Sequence, residues 1–347
     1  MARLDHIPRL LAVAGLLLTA SCSPSPTGGA VVGGVEDVRV GGSDLNAGSL
    51  SVESTRLLDR MQASHRAARF SGLRRIELHF VDDGRDEVLE YLEEVGCDGE
   101  GQFALDTVEL LQGPDDVDLF MILQDSRQVF TFEFRDFRIT DRHLVLQNYT
   151  IAHESNADTV AGVSCLRLRF ERQDSPLGGY YRVWVEPETG LTLRWEQVDR
   201  NGVLLGEMEF ESIDFTPDLS NFQLIRRNFD GRTIDLNGDL VAQVGFDVLT
   251  PSLLPSGYRI ESGRVVADGQ GNDWFKRVYT DGVSRMALLH RKPEEDLDHS
   301  HGGHLGTVQS MPVGPWNLVT GTLKGWRLII MGQIDPDELY QTVQSAF

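Results

Sequence analysis

Apolar and polar positions alternate along most of this chain. RVWVE places Val183 and Val185 on one face and Arg182, Trp184 and Glu186 on the other. LLGEMEFES sets Leu204, Met208 and Phe210 against Leu205, Glu207, Glu209 and Glu211. A period of two marks a half-buried strand. Pro187-Glu188-Thr189-Gly190 and Asn201-Gly202 supply the turns between, with glycine taking backbone angles that other residues resist. Arg182 to Phe210 thus predicts three antiparallel strands with one apolar and one wet face. RRIELHFV, DEVLEYLEEV, GQFALDTVELL, DLFMILQD, QVFTFEFRDFRI, HLVLQNYTIAHE and CLRLRFERQ extend the series, with turn residues such as Asp82-Asp83-Gly84 and Gly113-Pro114-Asp115-Asp116 between them.

A different period precedes the strands. Ser51 to Phe70 carries Leu57, Leu58, Met61, Ala68 and Phe70 on one imperfect helical stripe, with Gly72 as its stop. One helix followed by a long run of strands predicts an α+β domain over residues 50–220. Its expected form is a curved antiparallel half-barrel sheet wrapped over the helix. Residues 221–245 read as a junction, with a hairpin turn at Asn237-Gly238. The run DLNGD there lacks the later ligands and closing Glu of a calcium loop. Residues 246–347 read as a small C-terminal α+β domain. LLPSGYRI, DWFKRVYTDGVSRMALLHR, GPWNLVTGTL and GWRLIIMGQI are its strands. A final helix has Asp335 as cap, Pro336 at its first position, Glu338 completing a capping box, and Leu339, Val343 and Phe347 as buried stripe.

The first residues follow neither period. Arg3 and Arg9 precede the apolar run Leu10 to Ala20, whose 11 residues are fewer than the roughly 20 that span a bilayer. Thr19-Ala20-Ser21-Cys22 then resembles a bacterial lipobox, so residues 1–21 read as a lipoprotein signal peptide and Cys22 as the lipidated residue. The other reading is an ordinary signal peptide with a chance cysteine. Acyl chains such as palmitate would make the membrane anchor, and Ser23 favours the outer membrane. Residues 22–49, rich in Gly, Ser and Pro, form a flexible tether. Export also bears on the other cysteines. Cys97 and Cys165 are an even pair in an oxidising compartment, either bridged as a disulfide or packed as two buried thiols.

Charge narrows the function classes. The net charge of −21 argues against nucleic acid, whose phosphates need clustered Lys and Arg. Ser51 to Ser220 holds 34 acidic and 17 basic residues, Phe246 to Phe347 only 12 and 9, so the acidic field lies on the first unit. It serves solubility or steers a basic partner. His299, His301 and His304, beside Asp296 and Asp298, are the stretch that most tempts a metal reading. Nothing orients those rings, and the stretch reads as a polar loop with no metal site. No P-loop, dinucleotide fingerprint, nucleophile elbow or HExxH occurs, so the chain reads as a non-enzyme without cofactor.

YYRVWVEPETGLTLRWEQVDRNGVLLGEMEFESIDF resembles a signature of the sigma-E regulatory protein family (RseB/MucB type). VAGVSCLRLRF and LLDRMQASHRAARFSGLRRIELHF fit the same pattern, as do LLPSGYRI, VYTDGVSRMALLHRK and IIMGQIDPDELYQTVQSA in the C-terminal half. The resemblance implies a first domain similar to the lipoprotein carriers LolA and LolB and a small second domain. It also implies a partner, the periplasmic segment of a membrane-anchored anti-sigma factor, shielded from proteolysis and released by lipid-like signals. The other function in view is that of a carrier or binder of lipid or lipoprotein acyl chains at the outer membrane. A structural surface lipoprotein is the third. Family members are expected to be soluble in the periplasm, whereas this chain adds a lipobox.

Overall fold

The computed structural model describes residues 52–82, 85–113, 136–173, 179–226, 231–267, 272–291, 308–313 and 316–347. The signal peptide, Cys22, the tether, DLFMILQD, and His299, His301 and His304 with Asp296 and Asp298 lie outside the described residues.

Alternation builds two antiparallel sheets. The first carries α1 (Val52–Ala67), β1 (Arg69–Asp82), β2 (Arg85–Asp98), β3 (Gln102–Gln112), α2 (Arg142–Asn148), β4 (Tyr149–Val160), β5 (Val163–Arg172), β6 (Tyr180–Val185), β7 (Thr192–Val198), β8 (Leu204–Asp214) and β9 (Ile225–Arg226). Its strand order is β4-β5-β6-β7-β8-β1-β2-β3-β9, so β1 joins two meanders by pairing with β8. The second carries β10 (Arg232–Thr233), α3 (Leu240–Val244), β11 (Arg259–Ala267), β12 (Asp273–Thr280), β13 (Arg285–Arg291), β14 (Val308–Val313), β15 (Trp316–Leu323), β16 (Trp326–Gly332) and α4 (Pro336–Gln344), in the order β10-β11-β12-β13-β16-β15-β14.

The described residues are therefore mostly β, two antiparallel sheets with few and short helices, where an α+β class was expected. The sheet does lie against the first helix. Leu57, Leu58 and Met61 of α1 share one core with Ile76, Phe170, Val183, Leu193, Trp195 and Met208 of the strands. Leu58 is 2% exposed, and Leu58→Ala there would cost about 2–5 kcal/mol. Gly190 shows how close the fit is. Its φ is +74°, and a Cβ would come within 2.5 Å of the backbone of Arg60 and Met61. The Glu-Thr-Gly turn between β6 and β7 thus docks on α1 where no side chain fits. Glu186 holds that turn by accepting from the Glu188 and Thr189 N–H groups and from Thr189 Oγ1.

Several expectations change. Helix α1 ends at Ala67, and Phe70 and Gly72 belong to β1. Gly72 is there because a Cβ would meet the Ser212 carbonyl at 2.4 Å. HLVLQN, expected as the start of a strand, is helix α2. Asp141 caps it by accepting from the His143 and Leu144 N–H groups, and Leu144 and Val145 are its buried residues. DLNGD forms no strand hairpin, because Asp239 caps the short helix α3. Helix α4 has the expected Asp335 cap and Pro336, and buries Leu339 and Val343, but Phe347 is 37% exposed. Trp184, expected on the wet face, is buried there. Its Nε1 donates to Asp158, and Arg194 lies over its ring at 4.5 Å.

Candidate functional site

Three places in this fold gather polar chemistry: the inward face of the first sheet, its outward face, and the seam between the two sheets.

On the inward face, Arg74 of β1 and Glu93 of β2 are opposite each other across the ladder. Arg74 Nη2 lies 3.4 Å from Glu93 Oε1 and 3.1 Å from Asp136 Oδ2. All three sit among apolar side chains, with Arg74 and Glu93 at 4% and 0% exposure. Burial opposes the charge on Arg74, but Asp136 and Glu93 together outweigh it and raise its pKa above the ordinary value. The cavity beside the triad measures about 50 Å³ and is lined by Met61, Phe70, Phe137, Met208 and Phe210 among others. Small-molecule sites commonly reach about 300–1,000 Å³. Leu57, Leu58 and Met61 of α1 pack in the same apolar core as this face.

On the outward face, the register sets Glu196, Glu207, Glu77 and Glu90 side by side across β7, β8, β1 and β2. Like charges directly opposite repel. Arg182 and Arg194 bridge to Glu196, Arg194 also to Glu207 and Glu209, and Arg75 to Glu90. Burial, with Glu196, Glu209 and Glu77 adding to it against Arg194, raises the Glu207 pKa. This is the acidic field counted in the sequence, held as an Arg–Glu lattice rather than a loose solvated face. Among the described residues, no group of three or more His, Cys, Asp or Glu side chains could hold a metal ion.

The seam is the most elaborate of the three. The turn between β12 and β13, Thr280 to Ser284, enters the first unit beside α2. The Gly282 carbonyl accepts from the Thr140 N–H at 2.8 Å, and a Cβ on Gly282 would strike the Val145 nitrogen at 2.6 Å. Asn148 Nδ2 donates to the carbonyls of Gly257 and Asp281 at 2.9 and 2.8 Å. Asp281 is fully buried. Its Oδ1 accepts from the Val283 and Ser284 N–H groups at 3.0 and 2.7 Å, and its Oδ2 from Tyr149 Oη at 2.8 Å. Arg172 of β5 completes the set. Its Nη1 is 3.5 Å from Asp281 Oδ2, its guanidinium lies over the Tyr258 ring at 5.1 Å, and it donates to the Ser256 carbonyl. Burial first, then the Asp281 charge, pushes Tyr149 well above the usual phenol range, and burial pushes Tyr181 up to about 12. These tyrosines are therefore neutral donors at any physiological pH.

Beside this joint opens a cleft of about 390 Å³ with walls from both sheets. Phe170, Tyr180, Tyr181, Gln197, Val198 and Leu205 come from the first, and Ser284, Asn317, Gln333, Ile334 and Glu338 from the second. Tyr181 Oη donates across the seam to Gln333 Oε1 at 3.1 Å. The expected capping box at α4 is half made. Asp335 accepts from the Asp337 N–H, while Glu338 lines the cleft, its pKa raised by burial against the pull of Arg172.

Of the sequence-predicted site residues, Cys97 on β2 and Cys165 on β5 are buried, free thiols on strands five places apart in the sheet order, with β6, β7, β8 and β1 between. Burial pushes the Cys165 thiol up to about 11, which keeps it protonated and inert. Neither cysteine lines the cleft. Sequence reasoning missed Arg172, Asp281 and the docking role of the TDGVS turn. The Asp281-Gly282 pair is the sequence signal that could have marked the turn.

Comparison with known proteins adds a family. No curated protein sequence matches the chain. Among solved structures, a crystal structure of MucB is similar over 85% of this chain and 98% of its own, at 16% identity and a TM-score of 0.46. MucB in complex with MucA(peri) is similar over 84% and 97%, and the MucA/MucB complex of Pseudomonas aeruginosa over 85% and 98%, each at 16% identity and a TM-score of 0.49. The assignment rests on the family model rather than on these superpositions. That model, the MucB/RseB N-terminal domain, matches residues 110–228, from the end of β3 past β9. Residues 110–228 of this chain thus match the MucB/RseB N-terminal domain.

Proposed function

We propose that this chain is an envelope-stress regulator that binds the periplasmic segment of a membrane-anchored anti-sigma factor. The match of residues 110–228 to the MucB/RseB N-terminal domain carries the reading. The cleft between the sheets supports it, because a site with walls from two units suits a chain segment that must be held and shielded. In this reading the first sheet, a half-barrel of the lipid-carrier kind, is a scaffold, and the protein works by binding rather than by catalysis. It faces the periplasm, anchored through lipid on Cys22 and held off an outer membrane by the 22–49 tether.

An acyl-chain carrier is the weaker reading. The inward face offers about 50 Å³ and a buried ion triad, and a lipid there would have to displace α1. Crosslinking in the host envelope, followed by mass spectrometry of the purified mature protein, separates the two. An anti-sigma segment bound to it supports regulation. Stoichiometric lipid without a protein partner would overturn that reading in favour of transport.

A further inference from the structure

We propose that the cleft between the two sheets takes an extended polypeptide segment carrying a basic side chain, and that Glu338 selects for that side chain. The inference rests on the reading above that the chain binds a protein segment, and it names the chemistry of the site.

The cleft has the right groups for a peptide. Gln197 on one wall and Asn317 and Gln333 on the other are side-chain amides, each able to donate to and accept from a backbone. Asn317 uses its Nδ2 on the Ile334 carbonyl, which leaves its Oδ1 to accept. Gln333 uses its Oε1 on Tyr181, which leaves its Nε2 to donate. Phe170, Val198, Leu205 and Ile334 give apolar surface between these amides. The polar side chains on both walls do not suit a lipid tail.

Glu338 is the charged group that the fold does not use. Among the described residues its carboxylate makes no hydrogen bond or close ion pair and feels only the longer-range pull of Arg172, although the first turn of α4 would have let it close a capping box. Two cations among these residues line the cleft, Arg200 and Arg172, and the Arg172 guanidinium is committed to Asp281, Ser256 and the Tyr258 ring. A half-buried carboxylate left in this state is costly unless a cation arrives. A Lys or Arg from the partner would hold it ionised. The net charge of −21 would draw such a partner in.

The test is selection of phage-displayed random dodecapeptides on the mature protein and on two variants, Glu338→Gln and Glu338→Lys. Thermal unfolding confirms that each variant is folded. Peptides selected by the parent should share a Lys or Arg at one position. Glu338→Gln should lose that preference, and Glu338→Lys should replace it with Asp or Glu. A synthetic selected peptide should weaken about fivefold on Glu338→Gln. Changing its basic residue to Gln should weaken it equally on the unaltered protein. Failure to enrich any peptide, absence of a fixed basic position, or the same consensus from Glu338→Gln would overturn the inference. Glu338-dependent selection together with failure to capture an anti-sigma factor would leave this inference standing and remove the proposed partner. Capture that Glu338→Gln leaves untouched would do the reverse.

Discussion

Asp281→Asn is the most informative single change, because Asp281 ties the two sheets together. Its carboxylate is fully buried and takes two turn N–H groups on one oxygen, with Tyr149 Oη and Arg172 on the other. An amide of the same shape cannot satisfy both sides. With its oxygen toward the turn, its NH₂ faces the donors Tyr149 and Arg172; with the amide reversed, it faces the Val283 and Ser284 N–H groups. Arg172, partly buried against the Tyr258 ring, also loses its counter-charge. Removing one partner of a buried pair costs about 3–5 kcal/mol. Some acceptor capacity survives in Asn, so we expect the low end, about 3 kcal/mol, or about a hundredfold in the folding equilibrium. Urea unfolding followed by tryptophan fluorescence measures it. Trp184 and Trp195 report on the first sheet, and Trp274, Trp316 and Trp326 on the second. The parent should unfold both sheets in one coupled transition. Asp281→Asn should move the second sheet to lower urea and split the curve. Tyr149→Phe, which removes one hydrogen bond to a charge, should cost less, about 1.5 kcal/mol. If Asp281→Asn leaves the midpoint and slope unchanged, the joint does not depend on this carboxylate and the reasoning fails.

Three other outcomes follow from the same structure. Gly190→Ala places a Cβ within 2.5 Å of the α1 backbone at φ +74°, and should destabilise by at least about 1 kcal/mol in the same urea assay. His290 is fully buried, accepts from the Leu249 N–H through Nε2, and has its pKa pushed down to about 3 by burial and by Arg277. Its contribution is therefore complete above the ordinary histidine value of about 6.5 and is lost as pH falls from there toward 3, by up to about 1.4 kcal/mol per pH unit. A His290→Leu variant should show a correspondingly flatter dependence between pH 7 and pH 4.5 on that scale. Cys97 and Cys165 should be silent to a thiol reagent in the folded protein and should both react in denaturant without reductant; a silent denatured protein would mean that they are bridged.

Local chemistry was legible in the sequence. The Asn201-Gly202 turn is closed as expected, with Asp199 accepting from the Asn201 and Val203 N–H groups. The α4 start was equally plain, since Asp335 and Pro336 act within one turn. HLVLQN misled because Leu144 and Leu146 alternate like a strand. Only Leu144 and Val145 are buried, and the decisive signal was the cap at Asp141. What could not be read depends on distant partners. Arg74 and Glu93 look like surface residues until β1 and β2 turn them inward onto Asp136. Arg172 looks like the end of a strand until the β12–β13 turn arrives beside it with Asp281. Glu338 satisfied a local pattern, and only the cleft gives it another use.

The central claim is that the cleft holds a protein partner. The direct measurement is a calorimetric titration of the mature protein with the periplasmic segment of a membrane-anchored anti-sigma factor from the same cell, repeated with a Gln197→Ala, Gln333→Ala variant. The account predicts saturable one-to-one binding that the variant weakens. No heat of binding, or binding that the cleft variant leaves intact, would contradict it.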